Sequence, residues 1–178
     1  DNGVGAFGIA CYYTPFVFMV GNAIAQSAQP ILSYNFGINL YKRVSQTEKL
    51  ALKTALMCGI VVTAIFYLFP HWLVGLFLPL DNAAAKIAVT GLPLFSLGFI
   101  CFIVNLTAIG YYQSLERIGA ATTFALLRGL LILVPAFYLL PMAIGNSGIW
   151  LAMPVSEVLT ALLILIYYLS TRSKVSKT

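Results

Sequence analysis

Residues 121–140 carry a single charge, Arg128, and residues 149–169 carry a single charge, Glu157. Runs of about 20 apolar residues, wound at about 1.5 Å per residue, match the roughly 30 Å hydrocarbon layer of a bilayer. Three more runs of the same kind precede them, at 4–32, 50–69 and 85–112. Lipid offers no partner to a backbone N–H or C=O, so each crossing must satisfy its own backbone as a helix or as part of a closed barrel. Period-2 alternation is not sustained anywhere in the chain, which sets the barrel aside. The sequence therefore predicts an all-α integral membrane protein, a bundle of five transmembrane helices with its surface against the lipid bilayer. A hydrophobic content of 61%, a charged content of 8% and a mean hydropathy of +0.94 agree with it.

Between the second and third runs, "PHWLVGLFLPLDN" is too short and too Pro-bounded to cross again; it reads as an interfacial segment with Trp72 at headgroup level. Lys42, Arg43, Lys49 and Lys53, then Arg117, then Arg172, Lys174 and Lys177 fall in alternate connections and in the tail at 170–178, whereas the opposite connections hold only Lys86. Positive charge stays on the cytoplasmic side, so the expected N-terminus is outside, with the C-terminus and its basic tail inside. The net charge of +5 is thus a topological signal, and no nucleic-acid partner is expected. Cys11, Cys58 and Cys101 lie far apart inside apolar runs and read as packing residues. His71 is a lone surface histidine, and Glu116 and Arg117 sit at the cytoplasmic end of the third run. No catalytic set, metal cluster or phosphate loop is visible, so neither enzyme chemistry nor a cofactor or metal is expected. One unit is read throughout; a start at Asp1 and an odd number of crossings suggest part of a longer bundle that has lost its first helix.

The stretch "GNAIAQSAQPILSYNFG" (21–37) departs from the apolar pattern. At about 100° per residue, Asn22, Gln26, Gln29 and Ser33 form one narrow stripe, while Val20, Ile24 and Ile31 cluster opposite and suit lipid. Gly21, Ala25 and Ala28 flank the stripe with the small-residue spacing that lets a neighbouring backbone come close. Two readings stand: interhelical hydrogen bonding, or the wall of a water-filled cavity. Pro15, Pro93, Pro135 and Pro154 lie inside crossings, where each removes a backbone donor and bends its helix, as in the broken helices of secondary transporters.

Arg128 and Glu157 are the most deeply placed ionisable residues. Counted along antiparallel helices, their heights differ by about 6 Å, which a long Arg side chain spans. They read either as a structural ion pair or as a site where Glu157 exchanges a proton or Na⁺.

"AQSAQPILSYNFG" (25–37) followed by "RV" (43–44), "YYQSLER" (111–117), "LLRGLLILVP" (126–135) and "GIWLAMPVSE" (148–157) together resemble the MATE family, the multidrug and toxic compound extrusion transporters. The resemblance implies a twelve-helix protein of two six-helix lobes, of which this chain supplies the last five helices of the C-terminal lobe. It implies a bacterial inner (plasma) membrane location, partnership with the N-terminal lobe, and export of small cationic or amphiphilic substrates in exchange for Na⁺ or H⁺ by rocking of the lobes. It also puts the stripe on the cavity wall. Some branches carry an acidic ligand in the third crossing, where "PLFSLGFICFIVNLTAIGYY" has none and Asn105 is the most polar deep residue; the essential carboxylate is then expected in the N-terminal lobe. Two rival readings are a lipid-linked oligosaccharide flippase, which calls for a more basic cavity than Arg128 alone provides, and a non-transporting scaffold subunit.

Overall fold

The computed structural model describes residues 2–175. It comprises α1 (Asn2–Gly37), α2 (Tyr41–Leu68), α3 (Pro70–Gly75), α4 (Ala83–Ser96), α5 (Phe99–Ser114), α6 (Ile118–Leu126), a π-helical turn (Leu127–Leu131), α7 (Leu133–Ile144) and α8 (Ser147–Val175). By length and composition α1, α2, the continuous run Ile118–Ile144 and α8 can each cross a membrane, and α4 with α5, bent by 46° at their junction, together have the length and composition of a fifth crossing. Large apolar side chains such as Met19, Ile60, Leu130, Leu139 and Ile166 are exposed along these helices. Such a surface belongs in hydrocarbon rather than water. The chain is an all-helical, multi-pass membrane protein.

The first connection differs from the sequence reading. Residues 33–49 were expected outside a crossing, but α1 continues to Gly37 and α2 begins at Tyr41. Two matching helix stops account for it. Asn39 adopts φ 60°, Asn39 N–H donates to Phe36 C=O and Leu40 N–H to Asn35 C=O. Glu116 adopts φ 58° after α5, with Glu116 N–H on Gln113 C=O and Arg117 N–H on Tyr112 C=O. A left-handed residue with this bond pair closes a helix within one turn. Lys42, Arg43 and Lys49 therefore ride on the first turns of α2, and Glu48 beside them is buried. α8 extends through the expected tail to Val175; the side chains of Arg172 and Lys174, and residues 176–178 with Lys177, lie outside the described residues. "PHWLVGLFLPLDN" forms α3 and a turn, with Trp72 exposed.

Helix α5 is the centre of the bundle, packed by α1, α2, α6 and α8. Small residues set the close approaches: Gly110 lies on Ala25, and a Cβ on Gly59 would stand 2.9 Å from the Ile100 Cα. Aromatic rings fill the end near α3, where Tyr13, Phe66, Phe95 and Phe99 meet edge to face. The Tyr13 hydroxyl donates to the Leu73 carbonyl at 2.9 Å and ties α1 to α3.

The third crossing is broken between α4 and α5, and its polar accounting explains how lipid tolerates the break. Pro93 has no N–H, and over Leu97 and Gly98 the N–H groups reach back three residues instead of four, to Leu94 and Phe95. At the break, the Pro93 carbonyl accepts from Ser96 Oγ at 2.8 Å and the Ser96 carbonyl accepts from Thr63 Oγ1 of α2 at 3.1 Å. Gly98 lets this elbow rest on Met153 and Pro154 of α8. Gly98→Ala would place a Cβ 2.9 Å from the Pro154 Cα. It should cost about 1–3 kcal/mol, read as a lowered unfolding temperature of the full-length protein in detergent. Gly119→Ala, with nothing within 4 Å, should show no loss.

Candidate functional site

Three elements bring one polar cluster together at depth in the bundle. Glu157 of α8 is 3% exposed, and Arg128 of the π turn meets its carboxylate side-on. Arg128 Nη2 donates to Glu157 Oε1 at 2.7 Å, and Nε donates to Oε1 at 3.1 Å and Oε2 at 3.3 Å. Asn105 of α5, 1% exposed, closes the other side: its Nδ2 donates to Glu157 Oε2 at 2.8 Å and to the Glu157 carbonyl at 2.9 Å. The Phe102 ring lies under the guanidinium, 4.2 Å from Arg128 Cζ to its centroid. A bare buried charge costs several kcal/mol, and here the pairing, the amide and the ring together offset that cost.

The π turn is what aims Arg128. Ile132 N–H reaches five residues back to the Leu127 carbonyl at 2.9 Å, and Pro135, in the first turn of α7, can donate no bond to the ladder. The Arg128 carbonyl is taken by Ser156 Oγ of α8 at 3.1 Å. The backbone and the side chain of Arg128 are thus both fastened to the same turn of α8.

Beside the pair lies a groove of about 350 Å³ between α1 and the π turn. Phe7, Cys11 and Thr14 face it from α1, and Phe95, Phe102 and Phe137 from the other elements. It is an aromatic slot with one ion pair on its wall. Such a slot can take a flat apolar body, and a carboxylate whose cation can be exchanged for a proton or another cation can bind charge there.

The stripe on α1 takes a different position from the pair. Gly21, Ala25 and Ala28 are buried, with Gly21 against Ile103 and Leu106 and Ala25 against Gly110, so α5 packs immediately beside the stripe. Ser33 Oγ donates to the Ser114 carbonyl at 3.1 Å, which makes it an interhelical tie. Asn22 and Gln29 are half-buried and Gln26 is exposed, and no hydrogen bond holds their amides among the described residues. At roughly 100° per residue, Cys11 falls in the same sector of α1 as Gln29, so the amides continue the flank that borders the aromatic groove. The side opposite the stripe faces lipid only in part. Ile31 is exposed, at the edge of a crevice shared with Thr47, Leu50 and Thr54 of α2, whereas Val20 and Ile24 are half-buried against the core.

Asn105, expected on a substrate cavity, lines a cavity between α2, α5 and α8 rather than the aromatic groove, and its amide is bonded to Glu157. Missed in the sequence was Glu48, 5% exposed, whose Oε2 stands 3.5 Å from the Tyr168 hydroxyl. Its signal was present: Val44, Glu48, Ala51 and Ala55 recur at helical spacing and are all buried. Among the described residues no group of His, Cys, Asp and Glu could hold a metal ion.

Removing one partner of a buried pair strands the other charge, so Arg128→Ala should lower stability by about 3–5 kcal/mol. Combining it with Glu157→Gln should restore part of that loss. A double-mutant cycle of unfolding temperatures checks it, and complete additivity would contradict the pairing.

The MatE family model matches residues 1–139. The multidrug export protein MepA of Staphylococcus saprophyticus subsp. saprophyticus is 24% identical over 98% of this chain and 38% of its own length. The solved structure of the MATE multidrug transporter DinF-BH superposes with a TM-score of 0.83 at 31% identity, over 93% of this chain and 37% of that one. The outward-facing form of a multidrug resistance MATE family transporter of the MOP superfamily gives a TM-score of 0.89 at 18% identity, over 99% of this chain and 40% of that one, and shares the fold. The chain thus spans 38% of the length of the curated relative it matches. With well over half its residues inside the family model, the chain belongs to the MatE family.

Proposed function

We propose that this chain is the C-terminal part of a cation-coupled antiporter that exports cationic or amphiphilic compounds by alternating access. The observation that carries the reading is the Glu157 carboxylate, buried, held by an exchangeable side-chain cation and placed on the wall of an aromatic groove. A carboxylate at membrane depth is costly to keep, and use in transport is the common reason for one. The relatives' names, multidrug export protein and multidrug transporter, support the same activity.

In this reading Arg128 neutralises Glu157 while the site is empty. A proton or Na⁺ arriving on the carboxylate releases Arg128 from it, and the change of charge beside the groove alters the affinity for a cationic substrate. The amides of Asn22, Gln26 and Gln29 line the path that continues from the groove along α1. They are suited to hydrogen-bonding many ligands without the desolvation cost of charge. The remaining wall belongs to the N-terminal lobe of the same protein. The end carrying the α1–α2 and α5–α6 turns, with Lys42, Arg43 and Arg117, is the cytoplasmic one, and the membrane is the bacterial inner membrane. A flippase for an acidic lipid-linked sugar fits less well, because Arg128, the deep cation among the described residues, is already neutralised.

Two experiments on the full-length protein test this. Glu157→Gln should slow export of a fluorescent cation from proteoliposomes by about 5–150-fold, the range that site-to-site coupling of about 1–3 kcal/mol gives. Unchanged export at normal abundance would leave Glu157 a purely structural role. With the native cysteines replaced, Gln26→Cys should react with a membrane-impermeant thiol reagent in at least one conformation; protection in both inward-open and outward-open forms would contradict a wet stripe.

A further inference from the structure

Asn105 stands between Glu157 and a second cavity that the aromatic groove does not reach. This cavity, of about 220 Å³, lies between α2, α5 and α8. Asn105 lines it at one end and Glu48 with Tyr168 at the other, and Glu157 is not among its lining residues. A wider opening of about 440 Å³ shares Glu48, Tyr111 and Tyr168 with it and continues to Tyr41 and Arg117, at the end of the bundle that carries the helix turns. The two spaces together reach from that end to within one amide of the buried carboxylate.

The cavity has the marks of a place for water. Tyr112 is 2% exposed, lines the cavity, and its hydroxyl has no hydrogen-bond partner among the described residues. A buried hydroxyl without a protein partner is ordinarily bonded to water. The volume holds several molecules at about 30 Å³ each, and the polar groups that retain water in an otherwise apolar cavity are present at both ends.

We propose that this cavity is a proton-access channel to Glu157, and that Asn105 is its plug. The proposal rests on Glu157 being the coupling carboxylate. While Asn105 Nδ2 donates to Glu157 Oε2, that oxygen is closed to the cavity, and an amide does not readily pass a proton on. When the Asn105 side chain swings aside, water reaches Oε2. The O–H bond of protonated Glu157 breaks, a bond to the water oxygen forms, and the hydronium passes its extra proton along the water file to bulk water at the turn-bearing end. Glu157 is left as a carboxylate and pairs again with Arg128, so one proton leaves the site and one appears at that end. The polar groups facing Glu157 are Arg128 from the π turn, Asn105 and Cys101 from α5, and Cys11 and Thr14 across the groove. Those facing the cavity around Glu48 are Lys49, Tyr111, Tyr112 and Tyr168, with Arg117 beyond them. The substrate groove, bordered by Phe102, and the proton route, bordered by Asn105, are separate spaces that meet at Glu157, which keeps the two solutes from competing for one path.

The test uses the full-length protein in proteoliposomes with a trapped pH-sensitive dye and no substrate. Because Glu157 also borders the aromatic groove, through which protons reach it from the other side, Asn105→Ala should dissipate an imposed pH gradient on the order of tenfold faster than wild type. Adding Ala161→Phe, which fills the cavity, should return the rate to wild type, and adding Glu157→Gln should do the same. A wild-type rate for folded Asn105→Ala, or a leak that survives Ala161→Phe, overturns the channel. If Asn105→Ala does not fold, Ala161→Cys in a background without native cysteines replaces it. Labelling by a small water-soluble thiol reagent from the turn-bearing side alone supports the channel, and no labelling, as when an acyl chain fills the space, overturns it. Because no substrate is present, absence of the leak refutes the channel alone, whereas unchanged export by Glu157→Gln refutes the coupling reading.

Discussion

A carboxylate inside hydrocarbon needs every oxygen lone pair answered by protein, and the arrangement around Glu157 follows from that demand. Arg128 supplies charge and two donors, Asn105 supplies an amide, and each comes from a different crossing. Three helices are thereby fixed in height and rotation by one side chain. Apolar packing alone sets rotation weakly between membrane helices, because lipid tails are as apolar as leucine. The polar cluster therefore gives the bundle its register, and the close contacts of Gly59, Gly98 and Gly110 give it its tightness.

Two places where the helical ladder fails, the α4–α5 elbow and the π turn, lie next to this cluster and are repaired by the same device. At the α4–α5 elbow, Ser96 and Thr63 answer carbonyls; at the π turn, Ser156 answers the Arg128 carbonyl. Each repair is a hydroxyl bond, worth about 1 kcal/mol net and easily exchanged for water. Elements held this way can re-form in a second arrangement at small cost, unlike an unbroken helix. The repair at the π turn lies on the α8 turn that carries both Ser156 and Glu157.

Much of this was legible in the sequence, for identifiable reasons. The crossings were visible because lipid demands long apolar runs, and the kinship of Arg128 and Glu157 followed from rise per residue alone. The register of Asn22, Gln26, Gln29 and Ser33 also followed from helix geometry. Which neighbour lay on each side did not, so Val20 and Ile24 were read as lipid-facing although they are half-buried against the core. Averaged hydropathy hid the start of α2: "YKRVSQTEKL" is polar enough to resemble a loop, yet Val44, Glu48 and Ala51 mark its buried face. The π turn was not readable, since Pro135 announces a disturbance in the ladder without saying which register replaces it. Asn105 was recognised as deep and polar, and asking which group across the bundle could satisfy it would have led to Glu157.

The central claim is that the Arg128–Glu157 contact is made and unmade during the working cycle. Solid-state NMR of the full-length protein in lipid, with ¹⁵N in the Arg128 guanidinium and ¹³C in the Glu157 carboxyl group, measures this distance directly. The account expects the short contact, 2.7 Å between nitrogen and oxygen here, in the resting state, and its loss in a large fraction of molecules once a saturating cationic substrate and an ion gradient are present. The same short distance under every condition would make the pair a fixed strut and contradict the account.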